Sequence, residues 1–160
     1  MDYRITTLKD EVVCDLIGIP DFPDIKFGAY GQYNLFNLTD YLRTLGREQS
    51  EDYRTISRLL RGFIEKLINA YGIPLDKLFF QNPNGDELVN GVLVYLFLIY
   101  LEDDFLRYAN DLLDDIFVDG IAVSDSYVYK MARLRLAPEV LNNMLDEKRK
   151  LSRQAPDSSL

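Results

Sequence analysis

The central third of the chain contains the run Glu87-Leu-Val-Asn-Gly-Val-Leu-Val-Tyr-Leu-Phe-Leu-Ile-Tyr-Leu101, which is apolar on nearly every side. An element that is apolar all round is typical of the middle of a domain rather than its surface. A bilayer core needs roughly 20 apolar residues, and the acidic residues Glu87 and Glu102 end this run earlier. We therefore predict a buried central helix here and no membrane span.

A second, amphipathic helix is predicted after a tight acidic corner at Glu102-Asp-Asp104. Gly120 is placed to end this helix in left-handed geometry. Its apolar stripe at helical spacing comprises Phe105, Tyr108, Ala109, Leu112, Ile116 and Phe117. The acidic residues fall mostly outside that stripe, and we take them as a candidate partner-binding face: Glu102, Asp103, Asp104, Asp111, Asp114, Asp115 and Asp119.

The remaining elements are read from turn and capping signals. Residues 26–36 predict a β-hairpin that turns near Gly31-Gln32. Asn37 is placed as the N-cap of a short helix over residues 38–45. Residues 53–71 predict one long amphipathic helix, ended by Gly72. Together these elements indicate a predominantly helical α+β fold, with a small N-terminal hairpin or sheet packed on a helical core and its buried central helix.

Length and composition predict one compact domain over residues 1–150, followed by a disordered tail at 151–160. The chain has 160 residues, 48% of them hydrophobic, which is enough to form a core without metal or disulfide bonds. The single cysteine, Cys14, cannot form an internal disulfide, and the N-terminus does not resemble a signal peptide. We expect a cytoplasmic protein.

The absence of histidine removes the commonest general base and a common zinc ligand. No Ser/His/Asp arrangement, phosphate loop or dinucleotide fingerprint is present. The acidic residues lack the alternating spacing and terminal Glu of a calcium loop. We therefore expect no enzymatic activity, no cofactor and no metal site.

Negative charge is concentrated in one segment. Residues 76–127 contain two Lys/Arg and eleven Asp/Glu, a net charge of −9, whereas residues 32–75 contain six and five, a net charge of +1. Carboxylates spaced along a helix can imitate the phosphates of a nucleic acid and occupy a basic groove on another protein. The alternative is a helix face that only confers solubility.

Arginines on successive helical turns present forked donors that suit phosphate groups. The candidate set for DNA contact is Arg47, Arg54, Arg58 and Arg61. The alternative is a solvated helix face whose arginines pair with neighbouring carboxylates such as Glu65.

Two stretches carry a family resemblance. Gly31-Gln-Tyr-Asn-Leu-Phe-Asn-Leu-Thr-Asp-Tyr-Leu42 reads as a strand that leaves a glycine turn and passes through an Asn/Thr step into a short helix. Gly85-Asp-Glu-Leu-Val-Asn-Gly-Val-Leu-Val-Tyr95 reads as a wing-like loop entering the buried helix. With residues 63–79 and 100–120, this order resembles the KilA-N domain of phage and large DNA virus proteins, which is related to fungal APSES domains. The likeness covers residues 26–120 and implies a viral or prophage regulator with an α+β fold.

Two functions follow. The first is an acidic phage or prophage protein in the host cytoplasm that binds a host or phage protein, one that handles nucleic acid, as an antirepressor or an anti-CRISPR type of inhibitor would. The second is a KilA-N-type regulator that binds duplex DNA through its arginine-bearing helix, with the loop 82–85 as a wing. Tyr95, Phe97 and Tyr100 fit either the core or a homodimer interface.

Overall fold

The fold is α+β, as predicted, in a computed structural model that describes residues 2–154. The chain divides into two compact units, residues 1–122 and 123–160, whereas we expected one domain over residues 1–150. The strands are β1 (Ile5–Thr7), β2 (Leu16–Ile17), β3 (Lys26–Tyr30), β4 (Tyr33–Asn37), β5 (Phe79–Gln81) and β6 (Glu87–Asn90). The helices of the first unit are α1 (Leu38–Thr44), α2 (Tyr53–Leu59), α3 (Arg61–Tyr71), α4 (Gly91–Leu101) and α5 (Asp103–Asp119), with a 3₁₀ turn at Leu75–Lys77.

The second unit contains helices α6 (Asp125–Arg135) and α7 (Pro138–Gln154). The Ser124 hydroxyl caps α6 by accepting the Tyr127 N–H at 3.1 Å. Helix α7 continues through residues 151–154 of the predicted tail, and residues 155–160 lie outside the described part of the chain. Among the described residues, no helix has the length and apolarity needed to cross a membrane.

In the part of the chain that the structure describes, six strands form one sheet in the order β1-β5-β6-β4-β3-β2. Among these described strands only β1 and β5 pair in parallel. The predicted hairpin is confirmed as β3 and β4, which turn at Gly31 with a φ of 58°. Asn37 caps α1 as expected, because its side chain accepts the Asp40 N–H at 2.9 Å. These local signals determine where the hairpin turns and where α1 begins.

The prediction of a helix over the whole run 87–101 is wrong in its first four residues, which form β6. Leu88 and Val89 are fully buried there, because β6 lies between β4 and β5 and is covered on both faces. The helix begins at Gly91. Asn90 caps it by accepting the Val92 N–H at 3.0 Å, and its amide donates to the Lys77 carbonyl at 2.8 Å.

Helix α4 is the buried central helix. Phe97 and Leu98 are fully buried, and the helix packs against β4, β6, α3 and α5. The sequence did not decide whether three aromatic residues of this helix belong to the core or to a dimer interface. Phe97 lies in the core, Tyr100 is half-buried and Tyr95 is 53% exposed. Fully burying an apolar side chain stabilises a fold by about 1.5–3 kcal/mol, so α4 is a main source of stability.

The predicted single helix over residues 53–71 is two helices, α2 and α3, separated at Leu60. Two local features favour the break. Gly62 has low helix propensity, and the Ser57 hydroxyl donates to the Arg54 carbonyl at 3.2 Å. As a result the predicted apolar stripe is divided: Ile56 and Ile64 are fully buried, whereas Leu59 and Phe63 are 63% and 61% exposed.

Candidate functional site

Helix α5 begins at the acidic corner and leaves most of its surface open. Glu102, in extended geometry, separates it from α4, and Gly120 ends it with a φ of 75°. Seventeen residues make a helix about 26 Å long. Its core-facing strip is anchored by Phe105, which is 3% exposed, and by Tyr108. Both rings contact Phe22, with ring centroids 5.2 and 4.9 Å away.

The outer face of α5 bears a row of carboxylates. Asp111, Asp115 and Asp119 follow one another at a spacing of four residues, and Asp114 lies beside them. All four are exposed, and in the described part of the chain none has an ion-pair partner. Asp103 is also exposed and has no ion-pair partner among the described residues, whereas Asp104 pairs with Arg107 at 3.6 Å.

This carboxylate row weakens the helix that bears it. Like charges four residues apart destabilise a helix by about 0.2–0.5 kcal/mol per pair. Asp119 lies in the last turn, where the partial negative charge of the helix dipole also opposes it, and no basic residue compensates there. The row therefore does not serve the stability of the fold.

Two further carboxylates lie near the start of α5. Glu102 and Asp104 line a cleft of about 370 Å³ together with Asp21 and Asp24. The cleft also contacts Tyr41, and burial, followed by a hydrogen bond with Glu102, raises the pKa of its hydroxyl. Sequence reasoning missed Asp21 and Asp24, because the Pro-rich segment around them indicates a turn but not which helix the turn approaches.

An apolar strip lies on the other exposed side of α5. Leu106, Leu113 and Phe117, which we call the α5 apolar strip, are 46%, 52% and 82% exposed. Ile116, expected in the core-facing stripe with Phe117, is also 47% exposed. The prediction of one continuous buried stripe is wrong for the second half of α5, because only its first half packs against the core. Side-chain types alone do not distinguish these two strips.

Arg47, from the candidate arginine set, has a structural role. Its guanidinium pairs with Glu51 and donates to the Leu101 carbonyl at 2.9 Å, at the C-terminal end of α4. The hydrogen bond with Glu51 raises the pKa of Arg47. The Tyr100 hydroxyl also donates to Glu51, at 3.1 Å. A phosphate contact by Arg47 would break this connection between the α1–α2 linker and the α4–α5 corner.

The other three arginines lie on both sides of the break at Leu60. Arg61 pairs with Glu65 at 3.0 Å on α3. Arg54 and Arg58 are exposed on α2, and within residues 2–154 neither has an ion-pair partner; Arg54 lies over the Tyr53 ring at 5.9 Å. The predicted wing is the β5–β6 turn, with Gly85 at a φ of 94°.

The wing is tied to the body at its first residue. Asn82 is 3% exposed and bonds both the N–H and the carbonyl of Val12, at 2.9 and 3.1 Å. Only the tip of the turn, residues 83–85, is exposed. The loop therefore presents a small polar tip and no basic side chain.

The Cys14 thiol donates to the Leu35 carbonyl at 3.3 Å, and burial raises its pKa to about 11, so it stays protonated at neutral pH. In residues 2–154 no group of three or more potential ligand side chains is placed to bind a metal ion. A groove of about 780 Å³ between β2 and α4 is lined by Ile17, Tyr95 and other uncharged residues. It offers apolar contact and no reactive group.

The comparisons with known proteins leave the family open. No protein-family model matches the chain, and no curated protein or solved structure matches it significantly. The KilA-N resemblance over residues 26–120 therefore stays a prediction.

Proposed function

We propose that this chain is a non-enzymatic phage or prophage protein that binds another protein through the acidic surface of α5. The partner would be a nucleic-acid-handling protein of the host or the phage, and the effect would be that of an antirepressor or of an inhibitor of a defence system such as CRISPR. The observation that supports this most strongly is the exposed carboxylate row, Asp111, Asp115 and Asp119, which lacks described ion-pair partners and weakens its own helix.

A surface feature that costs stability is expected where function requires it. Exposed like charges on one helix produce a local negative potential that attracts a basic partner and accelerates association. The same charges repel nucleic acid, which is itself a polyanion. A protein with a basic surface is therefore the partner class that the face suits best.

The test is capture of binding proteins from a lysate of the host, with tagged wild-type protein compared with two charge-matched variants. The first replaces Asp111, Asp114 and Asp115 by Asn. The control replaces the exposed Asp10, Glu11 and Asp15 by Asn, Gln and Asn, which removes the same charge elsewhere. We expect the control to retain capture and the α5 variant to lose it by about tenfold or more. Equal retention, or equal loss, would contradict a role for the α5 face.

The second candidate is a KilA-N-type regulator that binds duplex DNA. The observation in its favour is the pair Arg54 and Arg58, exposed on α2 without an ion pair in the described residues. A gel shift with mixed duplex DNA at low and moderate salt tests it. A shift that fades as salt rises, and that the Arg54→Glu/Arg58→Glu variant abolishes, would favour this candidate over the acidic protein binder.

A further inference from the structure

We infer that the partner element recognised by α5 is a basic amphipathic helix, which lies along the α5 apolar strip and places its cations against Asp103 and Asp114. This inference rests on the proposed function, because it names the kind of partner that the same helix receives. It adds an apolar contact that the acidic surface alone does not require.

The shape of the strip favours a helix as its occupant. Leu106, Leu113 and Phe117 are spaced by seven and four residues, so on a helix of 3.6 residues per turn they fall within about 40° of one another. They extend for about 16 Å along the axis. A partner helix can meet such a strip with side chains at positions i, i+4 and i+7, as helix-in-groove complexes do. Phe117, 82% exposed, is the aromatic anchor that such interfaces need.

Charge identifies which helix fits. Asp103 lies one turn before Leu106, and Asp114 lies one turn before Phe117, so both border the strip. Both are exposed and have no ion-pair partner among the described residues. Lysine or arginine side chains flanking the apolar face of a partner helix would neutralise them. An anionic lipid surface would be repelled by the same carboxylates.

A second copy of this chain fits less well. Two α5 helices packed strip against strip in antiparallel order would bring the Asp103 and Asp114 side chains of both copies to one side of the interface, where like charges oppose association. Charge mimicry of DNA is also weak on α5 alone. Six aspartates and one arginine over about 26 Å give one net charge per roughly 5 Å, against one per about 1.7 Å in duplex DNA. Apolar contact must therefore contribute to any tight complex.

The test uses the full chain and two fluorescein-labelled peptides of about 18 residues, long enough for five helical turns. One peptide consists of leucine and lysine arranged to give an apolar face on a helix. The other has the same composition in an order that has no such face. Binding is followed by fluorescence anisotropy at physiological ionic strength, with circular dichroism confirming that each protein variant is folded.

We expect the amphipathic peptide to bind about tenfold more tightly than the reordered one. Leu113→Ser/Phe117→Ser should remove that difference, and because both side chains are exposed the variant should stay folded. Asp103→Asn/Asp114→Asn should weaken binding more than Asp115→Asn/Asp119→Asn, which removes the same charge on the far side of α5.

The contrary outcomes separate this inference from the proposed function. Equal binding of both peptides, or full binding by Leu113→Ser/Phe117→Ser, would overturn the inference. The lysate capture would still decide whether the acidic surface of α5 binds a partner protein. Failure of both peptides to bind would overturn it in the same way. A dimer in solution that Phe117→Ser dissociates would show that a second copy occupies the strip instead. Selective peptide binding combined with unchanged capture by the Asp111, Asp114 and Asp115 variant would contradict only the proposed function.

Discussion

Helices α4 and α5 are consecutive and separated only by Glu102, yet the same residue types are placed differently in them. Phe97 and Leu98 of α4 are fully buried, whereas Phe117 and Leu113 of α5 are 82% and 52% exposed. The difference lies in the neighbours. Helix α4 is packed between the sheet and two helices, whereas the packing described for α5 is against α4 and the loop at Phe22. Apolar content therefore identifies a core only where other elements surround the helix.

The largest effect that would test this comparison comes from removing one phenylalanine from each helix. Phe97→Ala leaves a cavity in the core and should lower the free energy of unfolding by about 3–5 kcal/mol. Phe117→Ala removes an exposed ring and should change it by less than about 0.5 kcal/mol. Urea unfolding followed by circular dichroism measures both. Losses of similar size would indicate that Phe117 is covered in solution.

The start of α4 is expected to be the next most sensitive point. A Cβ added at Gly91 would lie 2.9 Å from the carbonyl oxygen of Asn34, so Gly91→Ala should lose about 1–3 kcal/mol through displaced backbone. Gly62→Ala on α3 is the matched control, because its Cβ would meet no heavy atom within 4 Å. That variant should gain up to about 1 kcal/mol from helix propensity. Thermal melts would show opposite shifts, and a tolerated Gly91→Ala would mean that β4 and α4 are less closely packed than described.

Glu87, the first residue of β6, makes the stability of the fold depend on pH. Burial raises its pKa, partly offset by the hydrogen bond that it accepts from the Tyr53 N–H at 2.9 Å. A raised carboxyl pKa contributes stability that is present below the unfolded pKa and lost as pH rises through the folded pKa. Glu87→Gln should therefore gain stability relative to wild type as pH rises from below to well above the unfolded carboxyl pKa of about 4.3. Denaturant midpoints across that range measure the difference, and a gain confined to low pH would contradict the assignment.

Sequence reasoning succeeded where the signal is local. Asn37 as a helix cap, Gly31 at the hairpin turn, and Gly72 and Gly120 as helix ends depend on a few neighbouring residues, and all four are confirmed. It failed at residues 87–90 because an apolar run has no periodicity that separates a buried strand from a buried helix. Only the pairing of β6 with β4 and β5, which are distant in sequence, makes that choice.

The same limit applies to the candidate site. The aspartates of α5 could be placed on an outward face because helical periodicity depends only on local sequence. The acidic cleft could not be predicted, since Asp21 approaches Asp104 only in the folded chain. Nor could the exposure of Leu113, because it depends on where the neighbouring elements end.

The smallest expected effect concerns the carboxylates at the two ends of α5. Asp115→Asn/Asp119→Asn removes both like-charge pairs of the carboxylate row and an unfavourable interaction with the helix dipole, so it should raise the free energy of unfolding by a few tenths of a kcal/mol to about 1 kcal/mol. Asp103→Asn/Asp104→Asn removes the same charge from the first turn, where negative charge is favourable, and should lower it by a similar amount. Thermal melts at low salt measure both, and added salt should reduce both differences. If both variants instead gained stability, the cause would be a general reduction of the repulsion that arises from the net charge of −8. The carboxylate row would then not be a feature that specifically destabilises its own helix.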